Sequence, residues 1–269
     1  MTIVLDEHEW SRNMIESRSL GKKPSETLFR IAKYYFSEGC SKKETRNKLD
    51  TFLLSCDPTV SLPKWSDILD YVTSRASKSK EIKIEDIVIT QPEIERIDAL
   101  EGKQIRRLAF TLLCLAKYWN CVNPQGDNWV NNKDSEIMRM ANVNTSIKRQ
   151  SLMYHTLNEE GLIQFSKKVD NTNVKVLFAQ DGDIAMRISD FRNLGYQYLM
   201  YHGEPYFQCE NCGLTVKMNI KTGRSLKYCN DCALEIKMRQ NIESVMRQRA
   251  KNRVVGKNNI SKPVVAQAI

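Results

Sequence analysis

Cys209, Cys212, Cys229 and Cys232 constrain this chain more than any other group of residues, because they form two C-x2-C pairs with sixteen residues between them. Two cysteines three positions apart can turn both sulfurs toward one point, and the intervening loop lets the second pair close a tetrahedral cage around it. The spacing predicts a structural site of four thiolates holding one Zn2+ ion. A cage closed by four protein ligands leaves no position for water, so the metal is expected to hold a small fold together and to do no chemistry.

The residues around the ligands agree with that reading. Gly213 follows the first pair, where a tight turn suits glycine, and Lys217 to Arg224 reads as a hairpin around Lys221-Thr222-Gly223. Cys229-Asn230-Asp231-Cys232-Ala233 opens a long helical run, which places the second pair at a helix N-terminus, where the dipole favours negative charge. A knuckle, a hairpin and a helix beginning at the second knuckle resemble the treble-clef zinc fold. A helix standing apart would instead resemble a zinc ribbon, and the spacing leaves both open.

The net charge of +9 is unevenly placed. Residues 209–269 hold twelve Lys or Arg against four Asp or Glu, and the rest of the chain is nearly neutral. A zinc module continued by a basic helix, with Lys237, Arg239, Arg247, Arg249, Lys251 and Arg253, is the electrostatic footprint of a phosphate-backbone partner. With 41% apolar and 27% charged residues the composition is that of an ordinary soluble protein. No apolar run approaches the ~18 residues of a membrane span, and the acidic start through Trp10 lacks the pattern of a signal peptide. A cytoplasmic protein without a membrane partner is expected. Cys40, Cys56, Cys114 and Cys121 lack paired spacing and are expected to be buried free thiols.

Hydrophobic periodicity divides the rest. Residues 1–80 read as an N-terminal helical unit. One helix spans Ser25 to Phe36 with Leu28, Ile31, Ala32 and Tyr35 inward. A second begins at the capping box Ser41-Lys42-Lys43-Glu44 and buries Leu49, Phe52 and Leu53. A third runs from Lys64 to Ser77 with Trp65, Ile68, Leu69 and Val72 on one side. Leu28 to Asp57, with its Tyr-Tyr-x4-Cys-Ser-Lys-Lys-Glu run and Cys-Asp-Pro turn, resembles helical modules beside primase domains of mobile elements, and equally a generic three-helix bundle. Residues 79–90 read as a linker with short strands, so a domain boundary is expected near residue 80.

Within residues 81–195, Gln104 to Asn120 predicts a helix with one buried face of Ile105, Leu108, Leu112, Leu115, Ala116 and Trp119. A short helix at Asp134 to Ala141 follows, then a longer one at Thr145 to Glu160. Strands at Leu162 to Val169 and Asn173 to Ala179 meet at Asp170-Asn171-Thr172. On Asp134 to Ala141, Asn144 to Gln150 and the Leu157-Asn158-Glu159-Glu160-Gly161-Leu162-Ile163 junction, this segment resembles a winged helix. The resemblance implies that the Thr145 helix enters the DNA major groove, with Lys148, Arg149 and Gln150 near base edges and Ile147, Ser151, Tyr154 and Leu157 facing the core. Lys167, Lys168 and Lys175 on the wing would grip phosphates. The aromatic stretch Tyr196 to Phe207 reads first as apolar packing that joins the winged helix to the zinc module, with stacking on unpaired bases the alternative, and residues 256–269 as a disordered tail.

No phosphate-binding glycine loop, nucleophile elbow or His-Glu-x2-His helix is present in the sequence, and there are only three histidines. The expectation is a mainly helical α+β protein that binds nucleic acid, with duplex DNA favoured, and is not an enzyme. The combination of modules resembles accessory replication or regulatory proteins of phages and mobile elements. The competing expectation is a protein-interaction factor, such as a helicase-loading partner or an inhibitor of a host nucleoprotein complex.

Overall fold

The computed structural model describes residues 3–167, 173–218 and 227–258, with side chains along the final helix as far as Arg249. It is α+β and mainly helical. The chain divides into two compact units, Met1–Tyr198 and Leu199–Ile269.

The first unit opens with α1 (Glu7–Glu16), which periodicity did not reveal, followed by α2 (Pro24–Ser37), α3 (Lys42–Cys56) and α4 (Leu62–Ala76). Ser41 and Glu44 form the expected reciprocal capping box at the start of α3. Leu28, Ile31, Ala32, Leu49, Phe52, Leu53, Leu69 and Val72 make the core of this bundle. Trp65 and Tyr35 only border that core, and Ile68 is exposed because α4 turns its Leu69–Val72 face inward.

The expected boundary near residue 80 does not separate compact units. The start of the chain folds back on the supposed linker: Ile84 N–H donates to Leu5 O and Glu7 N–H to Ile82 O, both at 2.9 Å. Glu7 is wholly buried and accepts hydrogen bonds from Arg30 Nε at 3.2 Å, from Lys33 Nζ and from Ile82 N–H at 2.9 Å. One carboxylate thus ties α1, α2 and the 80s segment together.

β1 (Ile87–Thr90) leads into α5 (Gln91–Asp98) and α6 (Lys103–Val122). Ile105, Leu108, Leu112, Leu115 and Ala116 are buried on α6 as expected, while Trp119 is half-buried and donates to Asn132 Oδ1 at 2.7 Å. The single buried face is a correction, because Ala109, Phe110, Leu113, Cys114 and Tyr118 are buried too. After α6 come β2 (Trp129–Val130), α7 (Asp134–Met140), α8 (Ile147–Glu159), β3 (Ile163–Phe165), β4 (Val174–Val176) and β5 (Ile184–Ile188). These elements cover α6 on several sides, since β1, β2, α5, α7, α8 and β4 all pack on it. β2, β4 and β3 form an antiparallel sheet in that order, and β5 pairs antiparallel with β1. The turn expected at Asp170-Asn171-Thr172 lies outside the described residues.

Glu93 locks these pieces. Fully buried, it accepts from Lys117 Nζ at 2.7 Å and from the backbone N–H groups of Thr90 at 2.8 Å and Gln180 at 2.9 Å. α9 (Leu194–Tyr201) ends the unit and crosses into the next. Its entry is held by Asn142 in the α7–α8 turn, whose side chain bonds both Asn193 Oδ1 and the Tyr196 N–H. Tyr198 is buried against Phe110 and donates to Asp98.

In the second unit, β6 (Tyr206–Gln208) and β7 (Thr215–Lys217) form an antiparallel hairpin, and α10 (Asn230–Asn258) follows. The hairpin brackets the first cysteine pair rather than following it. The hairpin expected around Lys221-Thr222-Gly223 lies outside the described residues. α10 extends three residues into the segment expected to lose periodicity. Among the described residues no helix is long and apolar enough to cross a membrane.

Candidate metal centre and basic surfaces

The β6–β7 hairpin presents Cys209 and Cys212 on its connecting loop. Gly213 N–H donates to Cys209 O, and Cys209 N–H to Leu214 O, both at 2.9 Å. Gly213 takes φ +71°, a left-handed conformation that closes the loop and that a residue with a Cβ adopts only with strain. Glu210 N–H donates to Lys227 O at 2.9 Å, which brings in the second pair. α10 begins at Asn230, so Cys229 and Cys232 flank its first residues. Of the two arrangements left open by the spacing, the helix starts at the second pair and does not stand apart.

The four Sγ atoms lie within 4.8 Å of one another, and Cys209, Cys229 and Cys232 are buried. Cys212 Sγ and Cys229 Sγ are 3.8 Å apart. That is far beyond a disulfide bond of ~2.05 Å. It equals the edge of a tetrahedron whose metal–sulfur bonds are ~2.3 Å. The residues present therefore fit one thiolate-bound ion.

Donors stand ready for the sulfur charges. Cys229 N–H points at Cys209 Sγ at 3.3 Å, and Asn211 Nδ2 at Cys232 Sγ at 3.3 Å. Burial opposes ionisation of Cys209, but N–H groups of Cys229, Cys212 and Asn211 outweigh it and hold the thiol at about 6. At Cys232 the Asn211 amide pulls the thiol down, yet the neighbouring thiol of Cys229, burial and the other two cysteines drive it to about 12. Four sulfurs this close cannot all ionise without a cation between them. Asn211 is a supporting residue that ligand spacing alone does not reveal. It sits between two ligands, where an amide donor is a recurrent way of steadying a thiolate.

The other cysteines differ from expectation. Cys114 is buried, and burial pushes its thiol up, but Cys40 and Cys56 are half-buried and Cys121 is exposed near the end of α6. His202, the histidine nearest the cluster in sequence, packs edge-on to Tyr201.

On α8 the structure keeps part of the expected pattern. Lys148 and Arg149 are exposed in the first turn, and among the described residues neither has a carboxylate partner. Gln150 is half-buried and donates to Thr145 O at 2.9 Å, which ties its amide to the backbone. Tyr154 and Leu157 are buried as expected, and Met153 joins them. Ile147 and Ser151 are exposed, which corrects their assignment to the core: the helix is rotated so that Ile147, Lys148, Ser151, Leu152 and His155 face outward. Ile147 is 81% exposed and Leu152 62%. Ser146, Lys148, Arg149, Ser151, Leu152 and His155 line a shallow depression there.

On the β3–β4 hairpin Lys167 is exposed, and Lys175 is paired with Asp127 Oδ2 at 2.5 Å. Lys168 lies outside the described residues. Lys237, Arg239, Arg247 and Arg249 are exposed on α10, with Arg239 paired to Glu235 and Arg247 to Glu243, each at 3.2 Å. Lys251 and Arg253 belong to the same helix by its backbone.

No protein-family model, no curated protein and no solved structure matches this chain.

Proposed function

We propose that this is a zinc protein that binds nucleic acid, with duplex DNA the favoured partner, acting by binding and not by catalysis. The observation that carries the reading is the α6–β2–α7–α8–β3–β4 order with sheet order β2-β4-β3, which supports a winged-helix reading, together with the free cations of α8. Lys148 and Arg149 sit at the helix N-terminus, where the dipole opposes positive charge and anions are stabilised. A phosphate or a guanine edge relieves that opposition, whereas a purely structural role supplies no reason for it. α10 adds a second basic element, rich in Lys and Arg and with no acidic residue after Glu243 in the sequence, that suits sequence-independent phosphate contact.

The cysteine cluster holds Zn2+ in this reading. Four thiolates in tetrahedral spacing select zinc or an iron–sulfur centre over hard cations, and a helix starting at the second pair is the one treble-clef feature that supports that fold over a ribbon. The ion's contribution is to organise the hairpin and the first turn of α10. Service as an accessory replication or transcription-regulatory factor of phage or mobile-element type rests on the combination of modules.

Ile147 and Leu152 favour a second reading, in which the same face of α8 docks on a protein, because exposed aliphatic side chains among cations also suit a protein surface. A salt series of binding to labelled duplex and single-stranded DNA and RNA, read by fluorescence anisotropy on zinc-replete protein, separates the two. Micromolar or tighter duplex binding that weakens steeply with salt, and falls at least tenfold in Lys148→Ala/Arg149→Ala, is expected. Absence of binding to all of these ligands refutes the nucleic-acid reading and leaves the protein-docking one.

A further inference from the structure

Beyond its first turn α10 is exposed along almost its whole described length, yet its apolar residues are not scattered. Leu234, Met238, Ile242 and Val245 are between 47% and 63% exposed and lie on one side of the helix at spacings of four, four and three. At ~100° per residue they fall within one stripe. Asp231 and Arg249 continue the same stripe at its two ends, three residues before Leu234 and four after Val245. The seam therefore runs acidic, apolar, basic along the helix axis.

A second copy of α10 answers that polarity. Laid antiparallel about Gln240, the seam sets Met238 opposite the second copy's Ile242, and Asp231 opposite its Arg249, with both contacts repeated by two-fold symmetry. Leu234 and Met246 border the apolar centre. Laid parallel, the same helix sets Arg249 against Arg249 and Asp231 against Asp231, a like-charge juxtaposition at each end. The opposed direction also pairs opposite helix dipoles. The flanking charges are already matched within each helix by Glu235–Arg239 and Glu243–Arg247, so they do not oppose the approach.

We propose that α10 is a dimerisation helix, pairing antiparallel with α10 of a second copy of this chain through the Asp231–Leu234–Met238–Ile242–Val245–Arg249 seam. The pairing rests on α10 alone and does not depend on nucleic-acid binding. An isolated helix in water gains little stability from propensity and needs packing of an apolar face, which the second copy supplies.

The test is sedimentation equilibrium on the full-length, zinc-replete chain without nucleic acid, over roughly 1 to 200 µM, a range set for a short two-helix contact. The expected result is a monomer–dimer equilibrium. Ile242→Lys places a cation at the centre of the seam and is expected to give monomer throughout. Arg249→Glu sets Glu against Asp231 at both ends and is expected to weaken the dimer on the order of tenfold. In a parallel pair it would merely exchange one like-charge contact for another. Zinc content, counted in each variant, verifies that the module is intact. A wild-type chain that is monomeric throughout overturns the proposal, as does a dimer indifferent to Ile242→Lys. A dimer broken by Ile242→Lys but indifferent to Arg249→Glu overturns the antiparallel arrangement. Nucleic-acid titration of the Ile242→Lys monomer is a separate readout, so loss of pairing and loss of binding are distinguishable.

Discussion

Replacing Glu7 by Ala isolates the most heavily committed carboxylate in the first unit. The side chain is fully buried, and so, nearly, are its partners Arg30 and Lys33, at 2% and 4% exposure. Removal leaves two cations in the interior without their shared counter-charge and strips Ile82 N–H of its acceptor. Partial substitutes remain: Glu26 lies 3.9 Å from Arg30, the Trp10 ring lies 5.2 Å from its guanidinium, and Lys80 O lies 3.3 Å from Lys33 Nζ. They offset part of the loss, so the expected cost is about 3 kcal/mol, at the low end of the range for a broken buried pair. For a unit of this size that lowers Tm by ~6–12 °C. All four tryptophans, Trp10, Trp65, Trp119 and Trp129, precede residue 199. Tryptophan fluorescence in a urea titration therefore follows the first unit alone, and the shift should appear in the midpoint with an unchanged slope. Glu7→Leu combined with Arg30→Met and Lys33→Met removes all three charges and should recover most of the loss. A Glu7→Ala midpoint equivalent to less than about 1 kcal/mol would refute the reasoning, because it would mean that water already screens the cluster.

Further outcomes follow from the metal centre and from one close contact. Loading the metal-free chain with Zn2+ at pH 7 should release about two protons or more per ion, since Cys212 and Cys232 are held protonated by their surroundings while Cys209 is already largely ionised. Affinity should therefore already fall with pH at 7, and fall more steeply below about 6, where Cys209 also takes up its proton; a pH-independent affinity from 7 to 5 would contradict the thiolate set. Asn211→Ala should leave the ion count at one and speed its loss to a chelator, on the order of tenfold; unchanged release would remove Asn211 from the site. Gly195→Ala would place a Cβ 2.0 Å from Ala141 O and 2.6 Å from its carbonyl carbon, both backbone atoms. The entry of α9 must then shift, at about 1–3 kcal/mol or more, and a thermal midpoint equal to wild type would show that the two backbones are not so close.

The parts that sequence made visible are those whose signal is local. Cys209, Cys212, Cys229 and Cys232 announce the cluster because ligand geometry restricts their spacing. Ser41 and Glu44 announce the start of α3 because a cap is a contact between near neighbours. Residues 79–90 show the opposite case: they look like a linker by composition, and only their pairing with residues 5–7 and with β5, both far away in sequence, makes them structure. β2 has two residues and is defined wholly by its partner β4, so no period could show it. Ile147 illustrates a different limit. An apolar residue at the first position of α8 reads as core, and only the rotation of the helix about its buried Met153–Tyr154–Leu157 edge exposes it. Lys148, Arg149 and Gln150 were marked by residue type and position, and only the structure shows one amide N–H of Gln150 taken up by Thr145 O.

The enclosure of α6 bears on how the chain is made. Its apolar surface is covered by β1 and α5, which leave the ribosome before it, and by β2, α7, α8 and β4, which leave after it. β1 meanwhile waits for β5, nearly a hundred residues later, to take up its free edge. Until residue 188 has emerged, a nascent chain carries an unfinished sheet edge beside a greasy helix, the situation in which aggregation competes with folding. Synthesis that stalls between residues 122 and 188 is therefore the vulnerable interval, and chaperones would find their work there. The four-cysteine unit, encoded afterwards, does not enter that race.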